Sequence, residues 1–576
     1  MHDRSVVRGI VRHPSMRYMA ILLLGVAASL TLLLVCRTFW FLFHSVTNVP
    51  YADQWYMLEE IQRVREGHSR WTYLWSPYWG QRILLPRLVF LVSAKYLHFS
   101  MWPFILINVA SQISMVAVLF AVVRRVLHPY RIAFWASVIA IVHLLLSSLQ
   151  MEIFIEAIGI QYTVGYASAV ASICVMGTAF DRKVASERRF WIAALLGVMS
   201  TTCFAIGLLV WPILIFEVWF SGAWRRRHLV TLTALTVVLI AAYVPGYTRP
   251  EMGMGALGII RHPISALSIV ALILGGSVSL YSRPIGIVAG SVGLVTACGV
   301  LIHVRRNRGA SLAETSLAMV CCFLLASALS IAVGRISPEW LAGTSGQPLP
   351  SRYLAPTFVF WAALFPLLLS YWHSGRSGRI GGAAASVIVL MLTFGTWNWQ
   401  WRMPAEWAGI FQSFDAIGSG FVVAVSDQAF MSRLFPVEDL RERLVNYMRE
   451  QHLSIFAEPR STWMGRNMGS IALRSNERKC FATMPPAISL DGTSSTLRVF
   501  GTLTVDEKPV DERLDVLITD SQGTVIGLAR TIPAQRGGNR ATDFFGYARN
   551  AERNALSTLR LIIVFADKAW CVAQVL

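Results

Sequence analysis

The carboxylate with the strongest case for chemistry is Asp53, in the stretch "NVPYADQWYMLEEI" at 48–61. It stands alone between aromatic residues, just beyond the first long apolar segment of the chain. A carboxylate near a membrane is costly unless it meets water or a partner, and a positioned carboxylate can act as a general base. An equally simple interpretation is that Asp53 caps the helix that follows it.

Two later segments carry arginines beside predicted membrane boundaries. They are "SPYWGQRILLPRL" at 76–88 and "VGRISPEWLAGTSGQPLPSRYLAPTFVFW" at 333–361. A planar guanidinium suits bidentate binding of a phosphate, although an arginine at a boundary can equally extend toward lipid headgroups. The arginines concerned are Arg82, Arg87, Arg335 and Arg352.

A fourth segment, "QMEIFIEAIGIQY" at 150–162, places Glu152, Glu156 and Gln161 at membrane level. A short interfacial helix is the simpler interpretation of this segment. With the segments above, it supplies acids, arginines and aromatic residues that could hold a lipid phosphate and a polar acceptor on one membrane face. Nucleotide triphosphates are not supplied outside the cytoplasm, so a transferase there needs an activated donor carried by the membrane.

The elements that must position these residues are membrane helices. The chain of 576 residues is 55% hydrophobic and 14% charged, and its mean hydropathy is +0.53, which is typical of an integral membrane protein. The net charge is +19, but the positive residues form short runs between apolar segments, as the positive-inside rule describes. No basic patch with a nucleic-acid-reading motif accompanies them, so we expect no nucleic-acid partner.

We predict about eleven spans from apolar runs of sufficient length. They lie near 18–40, 101–123, 132–149, 162–180, 190–204, 205–220, 229–246, 285–303, 313–333, 353–371 and 379–397. The shorter apolar stretch 83–98 is interpreted as interfacial and the stretch 264–281 as re-entrant or interfacial, because crossings there would place arginine runs on the wrong side. Trp211-Pro212 is expected to break a helix. The first span has the features of an uncleaved signal anchor with a cytoplasmic N-terminus.

The composition changes after Trp397, and we divide the chain into a transmembrane domain (1–398), a helical connector (399–456) and a mainly-β domain (457–576). "PVEDLRERLVNYMREQ" at 436–451 predicts a helix in the connector. Period-two segments predict a small extracytoplasmic β-sandwich in the last domain, with a turn at 520–523. Cys480 and Cys571 could join its two ends as a disulfide, or remain free thiols. No CxxC-type metal spacing occurs in the sequence.

This plan resembles the GT-C superfamily of membrane glycosyltransferases, which use polyprenyl-phosphate sugars and have an acidic residue in the first extracytoplasmic loop. The resemblance covers residues 1–400. The segments that carry it are "PYADQWY" (50–56), "GQRILLPRL" (80–88), "ME…IQY" (151–162) and "GR…SRYLAP" (334–356). Many members have two adjacent acids in the first loop, whereas Gln54 follows Asp53 here. A divalent cation therefore stays an open question, and no other cofactor is implied.

The resemblance implies an enzyme of the bacterial inner membrane that transfers a hexose or pentose with inversion. Asp53 would be the general base, and a polyprenyl-phosphate-linked sugar the donor. The acceptor would be an envelope glycan or lipid in the periplasm. The leaving phosphate would be bound by Arg82, Arg87, Arg335, Arg352 and Tyr353, and the sugar or acceptor would be contacted by Trp55, Tyr56, Trp79, Glu152 and Gln161. As aromatic-belt residues, the tryptophans and tyrosines need no such role.

Two other functions are compatible with the sequence. A transporter or flippase of a lipid-linked saccharide would place essential charges and broken helices inside the spans. A non-catalytic envelope protein would bind glycan with its β-domain and use the spans only as an anchor, although eleven spans exceed what an anchor requires.

Overall fold

A computed structural model describes residues 14–179, 186–220, 226–245, 255–279, 282–306, 311–335, 351–374, 378–475, 478–485, 487–490, 496–533, 541–549, 559–566 and 568–575. The chain divides into two compact units. Unit 1 contains Met1–Thr38, Leu74–Arg87 and Phe104–Trp401, and unit 2 contains Phe39–Tyr73, Leu88–Pro103 and Arg402–Leu576. The second and third of the predicted domains therefore share unit 2 with two earlier segments of the chain.

The helices of the described residues are numbered in chain order. They are α1 (Pro14–His44), α2 (Gln54–Arg65), α3 (Arg70–Trp75), α4 (Leu84–Tyr96), α5 (Trp102–Leu127), α6 (Arg131–Leu145), α7 (Met151–Ile155), α8 (Ile160–Ala179), α9 (Glu187–Cys203), α10 (Val210–Phe220), α11 (Arg226–Tyr243), α12 (Gly255–Arg261), α13 (Pro263–Leu274), α14 (Gly276–Ser279), α15 (Arg283–Arg306), α16 (Leu312–Arg335), α17 (Leu354–Ser374), α18 (Gly378–Val423), α19 (Gln428–Met431) and α20 (Glu438–Glu450).

Within the described chain, eight helical segments are long and apolar enough to cross a membrane. They are Met16–His44, Trp102–Leu127, Arg131–Ile155, Ala157–Ala179, Arg226–Tyr243, Arg283–Arg306, Leu312–Gly334 and Leu354–His373. Each coincides with one of the eleven predicted spans, because long apolar runs bounded by charged residues are a local signal. The prediction of a helical multi-pass membrane protein is confirmed, and the count of eleven stays a prediction.

The predicted spans 190–204 and 205–220 fall on α9 and α10, which have 17 and 11 residues. The break between them is at Phe204, whose φ of −166° and ψ of 159° are extended. The expected break at Trp211-Pro212 is wrong, since both residues lie in the first turn of α10, where proline is tolerated. The predicted span 379–397 lies inside α18, which has 46 residues.

The two ambiguous stretches form short helices. The stretch 83–98 forms α4, whose 13 residues span about 20 Å, short of the roughly 30 Å of a bilayer core. The described part of the stretch 264–281 forms α13 and α14, of 12 and 4 residues, and residues 280–281 lie outside the described chain. These lengths agree with segments that do not cross the membrane as straight helices.

In unit 2, α2 packs against α20. The apolar face of α2, which a sequence pattern alone could equally assign to a helix on the membrane surface, is buried in the protein at Met57, Leu58 and Ile61. Glu59 on α2 pairs with Arg443 on α20, with 2.8 Å between Oε1 and Nη2. The helix predicted at 436–451 is confirmed by α20, which carries Glu438 and Asp439 in its first turn.

The C-terminal part of unit 2 forms a sheet of ten described strands. They are β1 (Arg474–Ser475), β2 (Cys480–Thr483), β3 (Ile488–Ser489), β4 (Thr496–Val505), β5 (Lys508–Pro509), β6 (Asp515–Thr519), β7 (Val525–Thr531), β8 (Thr542–Arg549), β9 (Arg560–Val564) and β10 (Ala569–Val575). The strand order runs β10-β2-β4-β8-β7-β6-β9, and β9 then pairs with β10.

This last pairing closes the sheet, so the domain is barrel-like and the predicted sandwich is wrong. Both folds place alternate residues inside, so alternation along a strand cannot distinguish them. The predicted turn at 520–523 is confirmed: the Asp520 carboxylate accepts the backbone N–H groups of Gln522 and Thr524. Cys480 and Cys571, on the neighbouring strands β2 and β10, form a disulfide.

Candidate functional site

The candidate site in unit 1 is built on a break between α6 and α8. After Leu145 the chain forms a 3-10 turn, the short helix α7 and a second 3-10 turn before α8 begins. Such a break frees backbone carbonyls, which need partners inside an apolar bundle. Fully buried Asn108 on α5 supplies them: its Nδ2 donates to the carbonyls of Ile153, Phe154 and Glu156 at 3.0, 3.2 and 3.1 Å.

Two further contacts fix this break. The Asn108 side-chain oxygen accepts a hydrogen bond from Thr163 Oγ1 on α8 at 2.7 Å. Gly159 approaches the preceding turn so closely that a Cβ there would lie 2.1 Å from the carbonyl oxygen of Ile153. The break is therefore specified by the side chain of Asn108 and the missing side chain of Gly159.

The break brings the segment 151–162 against the 3-10 turn Ser351–Tyr353. Arg352 in that turn is half-buried, which acts to lower its pKa, but nearby acidic groups outweigh the burial and leave the pKa of Arg352 raised. These groups are Tyr162, Tyr353, Glu156 and Glu152. We call Glu152, Glu156, Tyr162, Arg352 and Tyr353 the Arg352 cluster.

The Arg352 cluster combines one fixed cation with two carboxylates and two phenol groups. Glu156 is buried, whereas Glu152, Arg352 and Tyr353 are half-buried. Gln161, the remaining sequence-predicted residue of this segment, is 5% exposed. Carboxylates accept hydrogen bonds from hydroxyl groups, and a guanidinium donates to phosphate oxygens. The composition therefore suits a ligand that carries both hydroxyl groups and a phosphate.

Arg82 and Arg87 are buried in unit 1, with exposures of 4% and 0%. Arg82 donates to the backbone carbonyls of Trp75, Tyr243 and Pro245, and its own backbone N–H donates to Tyr243 Oη at 2.7 Å. Arg87 donates through Nη1 to the carbonyl of Ser76. Extension toward lipid headgroups is therefore wrong for both residues. They hold the segment 75–82, and no described carboxylate forms an ion pair with Arg82.

Trp79 lies at the tip of a tight turn between Tyr78 and Gln81, whose backbones are paired at 2.6 and 2.8 Å. The φ angles of Trp79 and Gly80 are 47° and 73°, as in a type I′ turn. Positive φ is uncommon for a bulky residue and marks local strain. The indole is nevertheless 55% exposed, so the turn presents an aromatic surface outward.

Asp53 belongs to unit 2 and is half-buried. It immediately precedes α2, but its side chain makes no capping hydrogen bond. The helix-cap interpretation is therefore wrong in its usual form. The preceding residue, Ala52, has a positive φ of 48° and its N–H donates to the carbonyl of Leu434 at 3.1 Å.

The aromatic residues after Asp53 pack inside unit 2. Trp55 is fully buried, stacks on Phe435 at 5.8 Å between ring centroids, and donates its indole N–H to the carbonyl of Pro50. Tyr56 is half-buried and meets Phe435 edge-on at 5.1 Å. Arg335 ends α16 and its side chain lies outside the described residues.

A second polar centre, which the sequence analysis missed, surrounds the fully buried Asp415 of α18 in unit 2. Asp415 accepts hydrogen bonds from Arg460 at 2.7 Å, from Thr47 at 3.1 Å and from Arg530, and Arg513 lies 3.5 Å away. This set has an excess of positive charge, which two further acids balance.

The two further acids are Asp515 and Glu458. Asp515 accepts from Arg530 Nε at 2.8 Å, and Glu458 lies 2.6 Å from Arg460 Nε. Burial raises the pKa of Asp515, and it lowers the pKa of Arg530 to about 10. We call Asp415, Glu458, Arg460, Arg513, Asp515 and Arg530 the Asp415 network. It contains three arginines and three carboxylates.

No group of three or more His, Cys, Asp or Glu side chains with metal-binding geometry occurs among the described residues. The two carboxylates of the Arg352 cluster are accompanied by a guanidinium, which repels a cation. The described residues therefore do not fit a dedicated divalent-cation site, and no chemical step is derived through one.

Sequence reasoning missed Asn108 and Asp415 although both gave a signal. Each is a polar residue within a helix, and Asn108 lies inside a predicted span, where a polar group needs an internal partner. Their partners are distant in sequence and could not be named. Comparisons of the chain with protein-family models, curated proteins and solved structures give no significant match.

Proposed function

We propose that this protein is a membrane glycosyltransferase of GT-C type in the bacterial inner membrane. It moves a sugar from a polyprenyl-phosphate donor to an envelope glycan or lipid acceptor. The observation that carries the proposal is the Arg352 cluster, where a guanidinium, two carboxylates and two phenols meet at a helix break stabilised by Asn108. The cluster places carboxylates, which accept hydrogen bonds from hydroxyl groups, beside a guanidinium, which donates hydrogen bonds to a phosphate. This combination matches a lipid-linked sugar better than an apolar or purely anionic ligand.

In the proposed reaction Asp53 takes the proton of the acceptor hydroxyl. The acceptor oxygen then bonds to the anomeric carbon, and the bond from that carbon to the phosphate oxygen breaks with inversion. The electron pair leaves with the lipid phosphate. The half-buried Asp53 side chain, which makes no capping hydrogen bond, supports this role. A positioned base contributes roughly 10²–10⁴-fold to the rate.

Negative charge develops on the leaving phosphate and needs donors nearby. Arg352 and Tyr353 are the first candidates, with Glu152 and Gln161 as contacts to sugar hydroxyls. Arg82 and Arg87 contribute positive charge, but guanidinium N–H groups of both residues already donate hydrogen bonds to backbone carbonyls. Trp79 offers an exposed ring for sugar stacking. Roles for Arg335, Trp55 and Tyr56 stay predictions, and so does a shared pocket of Asp53 with these arginines, since they belong to different units.

The test is the lipid-linked sugar profile of a strain that lacks this gene, complemented with wild type, Asp53→Asn or Glu66→Gln. Glu66 is an exposed acid that follows the same helix and is the matched control. We expect a polyprenyl-phosphate sugar to accumulate in the deletion strain and with Asp53→Asn, and to disappear with wild type and Glu66→Gln. The proposal fails if Asp53→Asn, present in the membrane at wild-type level, restores the normal profile.

Transport of a lipid-linked saccharide is the second candidate. Two observations favour it: α13 and α14 form a broken apolar segment, and the acid Glu217 is buried inside unit 1. A transporter would move a labelled lipid-linked sugar across the membrane of reconstituted vesicles without forming a glycoside product. The product assay therefore separates the two functions.

A further inference from the structure

Glu217 on α10 is a buried acid that the proposed function does not use, and it is only 1% exposed. Its Oε1 accepts a hydrogen bond from Ser316 Oγ of α16 at 2.7 Å. Its second oxygen, Oε2, has no hydrogen-bond partner among the described residues. The carboxylate thus has one neutral donor and one oxygen available for a ligand.

A carboxylate in this environment cannot remain an unpaired anion. Burying an isolated charge in a low-polarity interior is strongly unfavourable unless a counter-charge or a proton neutralises it. Four helices pack against α10, namely α8, α9, α11 and α16. Glu217 acts electrostatically on the thiol of Cys174 on α8, and it accepts its hydrogen bond from the neutral Ser316 of α16. The cations near the starts of α9 and α11 have other partners: Arg189 donates to the carbonyl of Thr178 at 3.4 Å, and Arg227 and His228 pair with Glu187. No described cation forms an ion pair with Glu217.

A cavity of about 300 Å³ lies on the other side of Ser316 from this acid, and Glu217 is not among its described lining residues. It is lined by residues from the ends of α5, α8 and α16, namely Val122, Arg125, Cys174, Gly177, Thr178, Ser311, Leu312, Ala313 and Ser316. Ser316 belongs to the cavity wall and also contacts Glu217. A Cβ on Gly177 would lie 1.9 Å from Ser316 Oγ and 2.8 Å from Glu217 Oε1. Gly177 therefore leaves the wall between cavity and carboxylate thin.

The cavity wall disfavours an ion of more than one positive charge. It includes Thr178, Ser311 and Ser316, whose side chains carry hydroxyl groups. Thr178 is in the last turn of α8, where the helix dipole favours positive charge, and its carbonyl already accepts a hydrogen bond from Arg189 at 3.4 Å. Arg125 lies on the same wall and already supplies one positive charge. With one carboxylate and one arginine, a monovalent cation leaves one excess positive charge, whereas a divalent ion leaves two.

We propose that Glu217 and Ser316 form a binding site for a monovalent cation, H⁺ or Na⁺, which enters from this cavity. Oxygen ligands from a carboxylate and hydroxyl groups suit both ions. The site goes beyond the proposed glycosyl transfer and does not depend on it, because none of its residues belongs to the Arg352 cluster.

The experiment uses the full-length protein in detergent and compares wild type with Glu217→Gln and Ser316→Ala. Glu442→Gln, which removes an exposed acid of α20, is the matched control. Thermal unfolding is followed by tryptophan fluorescence in NaCl, KCl or choline chloride at equal ionic strength, and from pH 6 to 9. Binding of ²²Na⁺ is measured directly on the same samples.

Sodium binding predicts that NaCl raises the Tm of wild type and of Glu442→Gln in a saturable manner. The rise is lost in Glu217→Gln, and Ser316→Ala needs more Na⁺ for the same rise. Proton binding predicts no Na⁺ effect, but a wild-type Tm that falls as the pH rises, because the folded chain holds a proton that the unfolded chain releases. Glu217→Gln lacks this fall.

The proposal is overturned if wild type binds no ²²Na⁺ and if wild type and Glu217→Gln show the same dependence of Tm on salt and pH. If Glu217→Gln yields no folded protein, Ser316→Ala decides by the same comparison. An unchanged response of Ser316→Ala to both Na⁺ and pH then overturns the proposal.

Discussion

The Arg352 cluster of unit 1 and the Asp415 network of unit 2 use the same chemical groups in opposite ways. The Asp415 network balances three arginines with three carboxylates and is held by short direct contacts around a fully buried acid. The Arg352 cluster sets one half-buried arginine among two carboxylates and two phenols. Charge balance and burial distinguish a centre that stabilises the fold from one that can accept a ligand.

This comparison also explains why strong electrostatics alone do not identify a site. Buried arginines and acids perturb each other's pKa values in structural networks as well as in active sites. In the Asp415 network each charged group finds a protein counter-charge, so a ligand has nothing to add. In the Arg352 cluster the acids outnumber the single cation, and Arg352 and Glu152 remain half-buried.

The largest expected effect is on stability, from Asp415→Asn. Removing one partner of a buried ion-pair network leaves charge uncompensated and costs about 3–5 kcal/mol. The free energy of unfolding is measured by urea titration of the full-length protein in detergent, with Asp439→Asn on the exposed side of α20 as control. A loss below about 1 kcal/mol, the range of exposed pairs, would show that the network is not a structural centre.

The second effect concerns the disulfide, which, like the Asp415 network, belongs to unit 2 and is expected to stabilise the fold. Replacing both Cys480 and Cys571 with alanine opens a loop with a sequence separation of 91 and is expected to lower the free energy of unfolding by about 2–4 kcal/mol. The control is Cys298→Ala, which removes a free cysteine. Equal stability of the double variant and the control would remove the disulfide from the account.

The elements above differ in how well the sequence predicted them. The spans and α20 were predicted because their apolar or amphipathic patterns are local. The covering of α2 by α20 was not, since the two segments are almost four hundred residues apart and an apolar helix face is the same whether protein or lipid covers it. Closure of the barrel depends on the β9–β10 pairing, which strand alternation does not encode.

The candidate site follows the same rule. The sequence pointed to Glu152, Arg352 and Tyr353 because charged and aromatic residues next to long apolar runs stand out. It could not show that a helix break stabilised by Asn108 brings the segment with Glu152 against the turn with Arg352 and Tyr353. The burial of Arg82 and Arg87 could not be predicted either. Their hydrogen-bond acceptors are backbone carbonyls, which every residue type has and which residue identity therefore does not indicate.

The third prediction concerns the Arg352 cluster, the proposed ligand-binding side of the comparison. Asn108→Leu removes the donor to three carbonyls and is expected to cost about 1–3 kcal/mol of stability, the penalty for unsatisfied buried polar groups. It should also weaken binding of a polyprenyl monophosphate, because the segment with Glu152 and Glu156 loses its anchor. Ser111→Ala on the same helix is the control. Unchanged stability and binding would separate Asn108 from the cluster.

The smallest expected effect is from Glu59→Gln. This substitution breaks two ion pairs of Glu59, one with Arg63 on the same helix and one with Arg443 on α20. Both arginine side chains are about half exposed, so solvent screens the pairs and the loss should stay below about 1 kcal/mol. The same urea titration measures it. A loss as large as that of Asp415→Asn would contradict the distinction between buried and exposed ion pairs in unit 2.

The central claim, that the Arg352 cluster receives a lipid phosphate, is tested most directly by binding of a polyprenyl monophosphate to purified full-length protein. We predict that Arg352→Gln weakens this binding by roughly 10–150-fold, the value of a charge-assisted hydrogen bond, in a variant that still unfolds cooperatively. Arg131→Gln, at the exposed start of α6, should bind as wild type does. Equal affinity of wild type and Arg352→Gln would contradict the account.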